Sequence, residues 1–137
     1  MKKKTVYISG PISATTKEEQ AGNVQAFHDC AALLRACGRK AVNPARAWPC
    51  RWAWLYRLME RWLGKDGAYR AVLVYDLWLL SRSDAICLID GWRQSRGARI
   101  EANFAALTGI PRSHRYDPKQ KKLTKWEKQR RKKRKEG

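Results

Sequence analysis

Paired cysteines, clustered histidines and long apolar runs are all missing from this 137-residue chain, and each absence removes a class of protein. Cys30, Cys37, Cys50 and Cys87 show no CxxC spacing and no histidine cluster beside them, which argues against a zinc module or a disulfide framework. His28 and His114 stand alone. Histidine-based catalysis therefore has no support, and neither a metal nor another cofactor is expected. No apolar run approaches the roughly 20 residues of a membrane span. Met1 to Lys4 lead only into Thr5–Ser9, which is a strand's length and too short for the apolar core of a secretory signal. The expectation is a cytoplasmic chain with reduced thiols and no membrane partner. No internal repeat is visible, so a solenoid or propeller is not expected.

Acidic residues are also scarce: 12 Asp and Glu face 30 Lys and Arg, for a net charge of +18. Residues 118–137 carry half of that excess, with eleven basic residues and two glutamates. Such a segment favours polyanions, nucleic acid first, through phosphate neutralisation and counterion release. The length suits one domain, residues 1–117, followed by a basic tail, 118–137, that is helical or disordered. Seven tryptophans are many for this size. Trp48, Trp52, Trp54 and Trp92 are candidates for stacking on a base, with core or dimer packing expected for at least half of them.

Thr5 to Ile8 form a β-rich run that opens into the tight loop Ser9, Gly10, Pro11, as a buried first strand would. Val24, Phe27, Ala31 and Leu34 recur at helical steps between about Lys17 and Cys37, with Gly38 as the stop. Lys40 to Asn43 form a short strand halted by Pro44. A loop and an amphipathic helix follow, closed at Gly64 to Gly67, and a second helix runs from Ala68 to Arg82. Ala85 to Ile89 are an unbroken apolar run suited to a central parallel strand. A last helix spans Gly97 to Leu107, stopped by Gly109, and residues 110–116 supply a final strand. This alternation predicts a three-layer α/β/α, Rossmann/flavodoxin-like domain with a parallel sheet of four or five strands. Its ligand site should lie at the carboxyl ends of the strands, where Gly10, Asn43 and Asp90 gather.

Three features meet at that edge. The turn at Gly10 offers backbone N–H groups to a phosphate, or simply reverses the chain. Asp76 sits between Tyr75 and Leu77 on an apolar helix, where a carboxylate needs a reason, although Arg70 or Arg82 could pair with it. Glu101 lies one turn into the last helix; by position alone, a solvated glutamate serving the helix dipole is the commoner outcome.

Taken together, Val6-Tyr7-Ile8-Ser9-Gly10-Pro11-Ile12, Asn23, Phe27, Gly38, Val42-Asn43-Pro44-Ala45, Asp76-Leu77-Trp78-Leu79-Leu80, Ser83-Asp84-Ala85-Ile86 and the run Gly91 to Glu101 resemble the nucleoside 2-deoxyribosyltransferase superfamily. Within it, the chain is similar to the 2'-deoxynucleoside 5'-phosphate N-hydrolases and to small phage and prophage members of unassigned function. The resemblance implies a glutamate nucleophile at Glu101 and a covalent glycosyl enzyme, with Tyr7 holding the carboxylate and Asp76 protonating the leaving base. Substrate contacts are expected from Ser9, Gly10 and Ser13, from Asn43, Asp90 and Trp92, and from Ser95 and Gly97. Ser95 matches a phosphate-binding serine of the monophosphate hydrolases, which favours nucleotide over nucleoside. Pro11 and Ser13 depart from that pattern, replacing a serine and an arginine. Homo-oligomers are implied as well, since relatives complete their sites across subunits, with residues 110–116 contributing. The competing reading is a nucleic-acid-binding protein that keeps the fold without turnover and binds through its basic tail and face. A third is cleavage of a dinucleotide such as NAD by the same glutamate chemistry on a ribose.

Overall fold

The computed structural model describes residues 2–12, 14–47 and 53–126. These form a five-stranded sheet and three helices. In chain order they are β1 (Thr5–Ser9), α1 (Lys17–Ala36), β2 (Lys40–Val42), α2 (Ala53–Ser81), β3 (Ala85–Ile89), α3 (Arg96–Thr108), β4 (Arg112–Asp117) and β5 (Lys122–Lys125), with short 3-10 turns at Pro44–Ala47 and Trp92–Gln94. The strand order is β2-β1-β3-β4-β5. Every pairing is parallel except β4 with β5. This is the flavodoxin-like order, and the chain changes direction across the sheet between β1 and β3.

The two-residue period of a strand divides the core into two layers. Val6 and Ile8 of β1, with Ala85, Cys87 and Ile89 of β3, pack against Phe27, Cys30, Ala31 and Leu34 of α1. Tyr7, Ile86 and Leu88 point the other way, against Leu80 of α2 and Ala102 and Ala105 of α3. With a helical layer on each face, all five residues of β3 are buried, which is why that strand reads as a continuous apolar run. Thr16 caps α1 by accepting from the Glu19 amide at 3.1 Å, and Glu18 and Glu19 complement the helix dipole.

Two boundaries differ from the sequence expectation. α2 is two helical segments kinked at Gly64, at φ 77° and ψ 172°, so the expected break between two helices is present but is confined to that residue. Gly67 lies within the helix, not in a closing loop. The second difference concerns residues 118–125, which were expected to belong to a helical or disordered tail. Asp117 Oδ1 accepts from the amides of Lys119 and Gln120, turning the chain, and β5 then pairs along β4 from Asp117↔Lys122 to His114↔Lys125. Leu123 packs on the α1 layer and Trp126 on the opposite one. The domain therefore runs past residue 117, and β4 is an interior strand with both edges paired. Among the described residues, no helix is long and apolar enough to cross a membrane.

β1 ends at Gly10, where an added Cβ would lie 2.7 Å from Ile89 Cβ. That atom is fixed to the backbone of β3, so a methyl group there forces β1 and β3 apart. Gly10→Ala should cost about 1–3 kcal/mol, measured as a lower urea midpoint at unchanged slope.

Candidate active site

The reversal of strand order brings the carboxyl ends of β1 and β3 beside the start of α3, and Glu101 is placed there. Ser95 caps α3 by accepting from the Ala98 amide at 3.3 Å. Glu101 follows on the helix face that also buries Ala98, Ala102 and Ala105, so its side chain is turned inward and is only 6% exposed. Tyr7 and Ser9, two residues apart on β1, share the face that meets α3. The Tyr7 hydroxyl donates to Glu101 Oε2, and the Ser9 hydroxyl donates to Oε1 at 2.8 Å. Both carboxyl oxygens are thus held by fully buried side chains of one strand.

Burial pushes the Glu101 carboxyl up from 4.5 to about 7, and the charge of Asp76 pushes the same way, while the bonds from Tyr7 and Ser9 pull it back. Asp76, half-buried on α2, is also raised to about 7, through burial. The Tyr7 phenol is held well above its ordinary value by burial and by the charges of Glu101 and Asp76, so it remains a donor. Both carboxyls are thus raised towards neutrality, and the charge of Asp76 is felt at Glu101. A fixed carboxylate beside a carboxylic acid suits nucleophilic attack or proton transfer at a bond placed between them.

The other expected site residues divide into two groups. Ser95 and Gly97 lie at the start of α3, near Glu101, and Gly10 closes β1 next to Ser9. Ser9, expected against substrate, donates to Glu101 at the same edge. Asn43 is occupied at the end of β2, where Oδ1 accepts from the Ala45 amide at 2.9 Å and Nδ2 lies 3.2 Å from His28 Nδ1. Asp90 forms a two-pronged ion pair with Arg115, with Nη2 to Oδ2 at 2.8 Å. Trp92 packs on the α2/α3 layer with the guanidinium groups of Arg93 and Arg112 over its ring. Ser13, Trp48 and Trp52 lie outside the described residues, as does the side chain of Trp54.

One residue escaped the sequence reading. Tyr69 lies seven positions before Asp76, on the same face of α2. Its hydroxyl is buried without a hydrogen-bond partner among the described residues, and a Cβ at Gly97 would stand 3.5 Å from it. The spacing from Tyr69 to Asp76 was the available signal.

A family model described as a domain of unknown function (DUF4406) matches residues 4–112, and the chain belongs to that family. The matched span contains Tyr7, Ser9, Asp76 and Glu101. No curated protein matches the chain in sequence.

The raised carboxyls have a consequence for stability. In the folded chain Glu101 binds its proton more tightly than in the unfolded chain, so the stability linked to it is complete below pH 4.5 and is lost as pH rises to about 7. At about 1.4 kcal/mol per pH unit, this loss is on the order of 3 kcal/mol. Glu101→Gln should remove that decline, and denaturant titrations of the two proteins between pH 4.5 and 8 should diverge accordingly.

Proposed function

We propose that this chain cleaves or exchanges the N-glycosidic bond of a deoxynucleotide, with Glu101 as the nucleophile. The observation that carries the reading is the buried Glu101 carboxyl, held at both oxygens by Tyr7 and Ser9 with a second carboxyl, Asp76, close enough to shift its titration. The resemblance to the nucleoside 2-deoxyribosyltransferase superfamily supplies the substrate class.

In the proposed reaction a Glu101 oxygen bonds to the anomeric carbon of the sugar as the bond from that carbon to the base nitrogen breaks. The electron pair of the broken bond leaves with the base, which takes a proton from Asp76. Water, or a second base, then attacks the anomeric carbon and releases Glu101 as a carboxylate. Asp76 takes the proton back from that water or incoming base. Tyr7 and Ser9 keep the carboxylate aimed and disperse its charge, which offsets the cost of ionising it in an apolar setting. The Ser95 hydroxyl accepts from the Ala98 amide and keeps its own hydrogen for a phosphate oxygen, beside the positive end of α3 and the cations Arg96 and Arg99.

The same reading makes the protein a homo-oligomer. Among the described side chains of α2, six large apolar ones are exposed: Leu58, Trp62, Leu63, Val74, Tyr75 and Trp78, with Trp62 79% exposed. A surface of that kind supports self-association. Sedimentation should give more than one subunit for the wild type, and a shift towards monomer for Trp62→Arg combined with Val74→Arg.

Wild-type protein should release free base from at least one deoxynucleoside 5'-monophosphate, and Glu101→Gln should lower that rate by at least a thousandfold while remaining folded. Because the reaction needs one ionised and one protonated carboxyl, both raised to about 7, the rate should pass through a maximum near neutrality. Asp76→Asn should slow release and remove the alkaline limb. Absence of release from every monophosphate, with folded protein, rejects the proposal.

A further inference from the structure

The opposite end of the sheet is a different surface. Lys2, Lys3 and Lys4 precede β1 and are exposed. Arg39 precedes β2 and Lys40 opens it, Arg82 precedes β3 and Arg112 opens β4. Because β5 runs antiparallel, its last residue, Lys125, returns to this same edge, level with His114. The Lys40 amide donates to the Lys4 carbonyl at 2.9 Å, which fixes the first two of these segments side by side. Asp84 also lies here, but one of its oxygens already accepts from the Thr5 amide at 2.8 Å.

Arg82 has an ordinary structural role, since it follows the carboxyl end of α2, where a cation is favoured, and its guanidinium covers Trp78. No such role accounts for Lys2, Lys3, Lys4, Lys40 and Lys125, none of which makes an ion pair with another described residue. The concentration of positive charge is felt inside the fold: the buried His114 ring is held below its ordinary value by burial and then by Arg39 and Lys125. Beyond Lys125 the sequence continues with seven Lys and Arg against two Glu in residues 127–137.

We propose that the amino-terminal edge of the sheet is a nucleic-acid-binding surface, with Lys2, Lys3, Lys4, Lys40 and Lys125 set against the phosphate backbone. The inference does not rest on the glycosidic reading, because Glu101 is at the other end of the strands. A polyanion of regular charge spacing suits a row of flexible lysines lying across several strand ends, and release of its counterions supplies the affinity. A lipid surface suits it less. Insertion into a bilayer requires an apolar face; Leu123 and Trp126 are partly buried against the core, and residues 127–137 contain no apolar side chain.

The test is fluorescence anisotropy of a labelled 20-base-pair DNA duplex with the full-length chain between 50 and 200 mM KCl. Two variants are matched in charge: Lys3, Lys40 and Lys125 all changed to Gln, and Lys17, Lys119 and Lys121, which lie at the other end of the strands, all changed to Gln. The first should weaken binding at least tenfold at 100 mM KCl and reduce the slope of log K against log salt by about 2 to 3. The second should stay within about threefold of the wild type and keep its slope. Equal weakening by both variants overturns the proposal, because net charge alone would then explain the binding. Failure of the wild type to bind the duplex also overturns it. So does binding to phosphatidylserine–phosphatidylcholine vesicles that the duplex does not compete away, or competition by polyglutamate as effective as by unlabelled duplex at equal charge.

Discussion

Burying a carboxyl group is costly unless its oxygens are met, and the upper part of this fold is organised around meeting those of Glu101. Tyr7 and Ser9 do so from a single strand, which is possible because residues two apart on β1 face the same layer. The residues between and beside them, Val6 and Ile8, face α1 and hold β1 in the other half of the core. A one-residue slip of β1 would exchange the two sets. The polar bonds and the apolar packing thus fix the same register, and neither can be altered without the other.

Fold and candidate site were legible to different depths. β3 declared itself, because a strand covered on both faces has no polar positions to obscure it. α1 was marked by its apolar spacing and by Gly38. β5 was hidden for the opposite reason: Lys122, Leu123, Thr124 and Lys125 contain one apolar residue among charges, and only pairing with β4 makes them a strand. In α2 the glycines at 64 and 67 looked alike, yet only Gly64 takes a positive φ.

At the site, the partnership of Tyr7 and Glu101 was anticipated through resemblance and not through position. Spacing along a chain does not show which side chains meet across a sheet. Ser9 illustrates the limit: the resemblance implies a substrate contact there, and its strand face brings its hydroxyl to Glu101. Asn43 and Asp90 were read from their places at strand ends, and both already have protein partners, Asn43 in a turn and Asp90 with Arg115. A polar residue at the ligand edge of an α/β sheet has structural duties there too, and sequence alone does not rank the two.

The direction of β5 also has a mechanical consequence. Tension applied through the residues that follow Lys125 acts at the open end of the β4–β5 hairpin, beginning where Lys125 pairs with His114. Load at that point peels the hairpin one rung at a time, an easy mode of failure, before it reaches the parallel strands β1 and β3. The strand first loaded is thus the edge strand, three positions across the sheet from β1, the strand that holds Glu101.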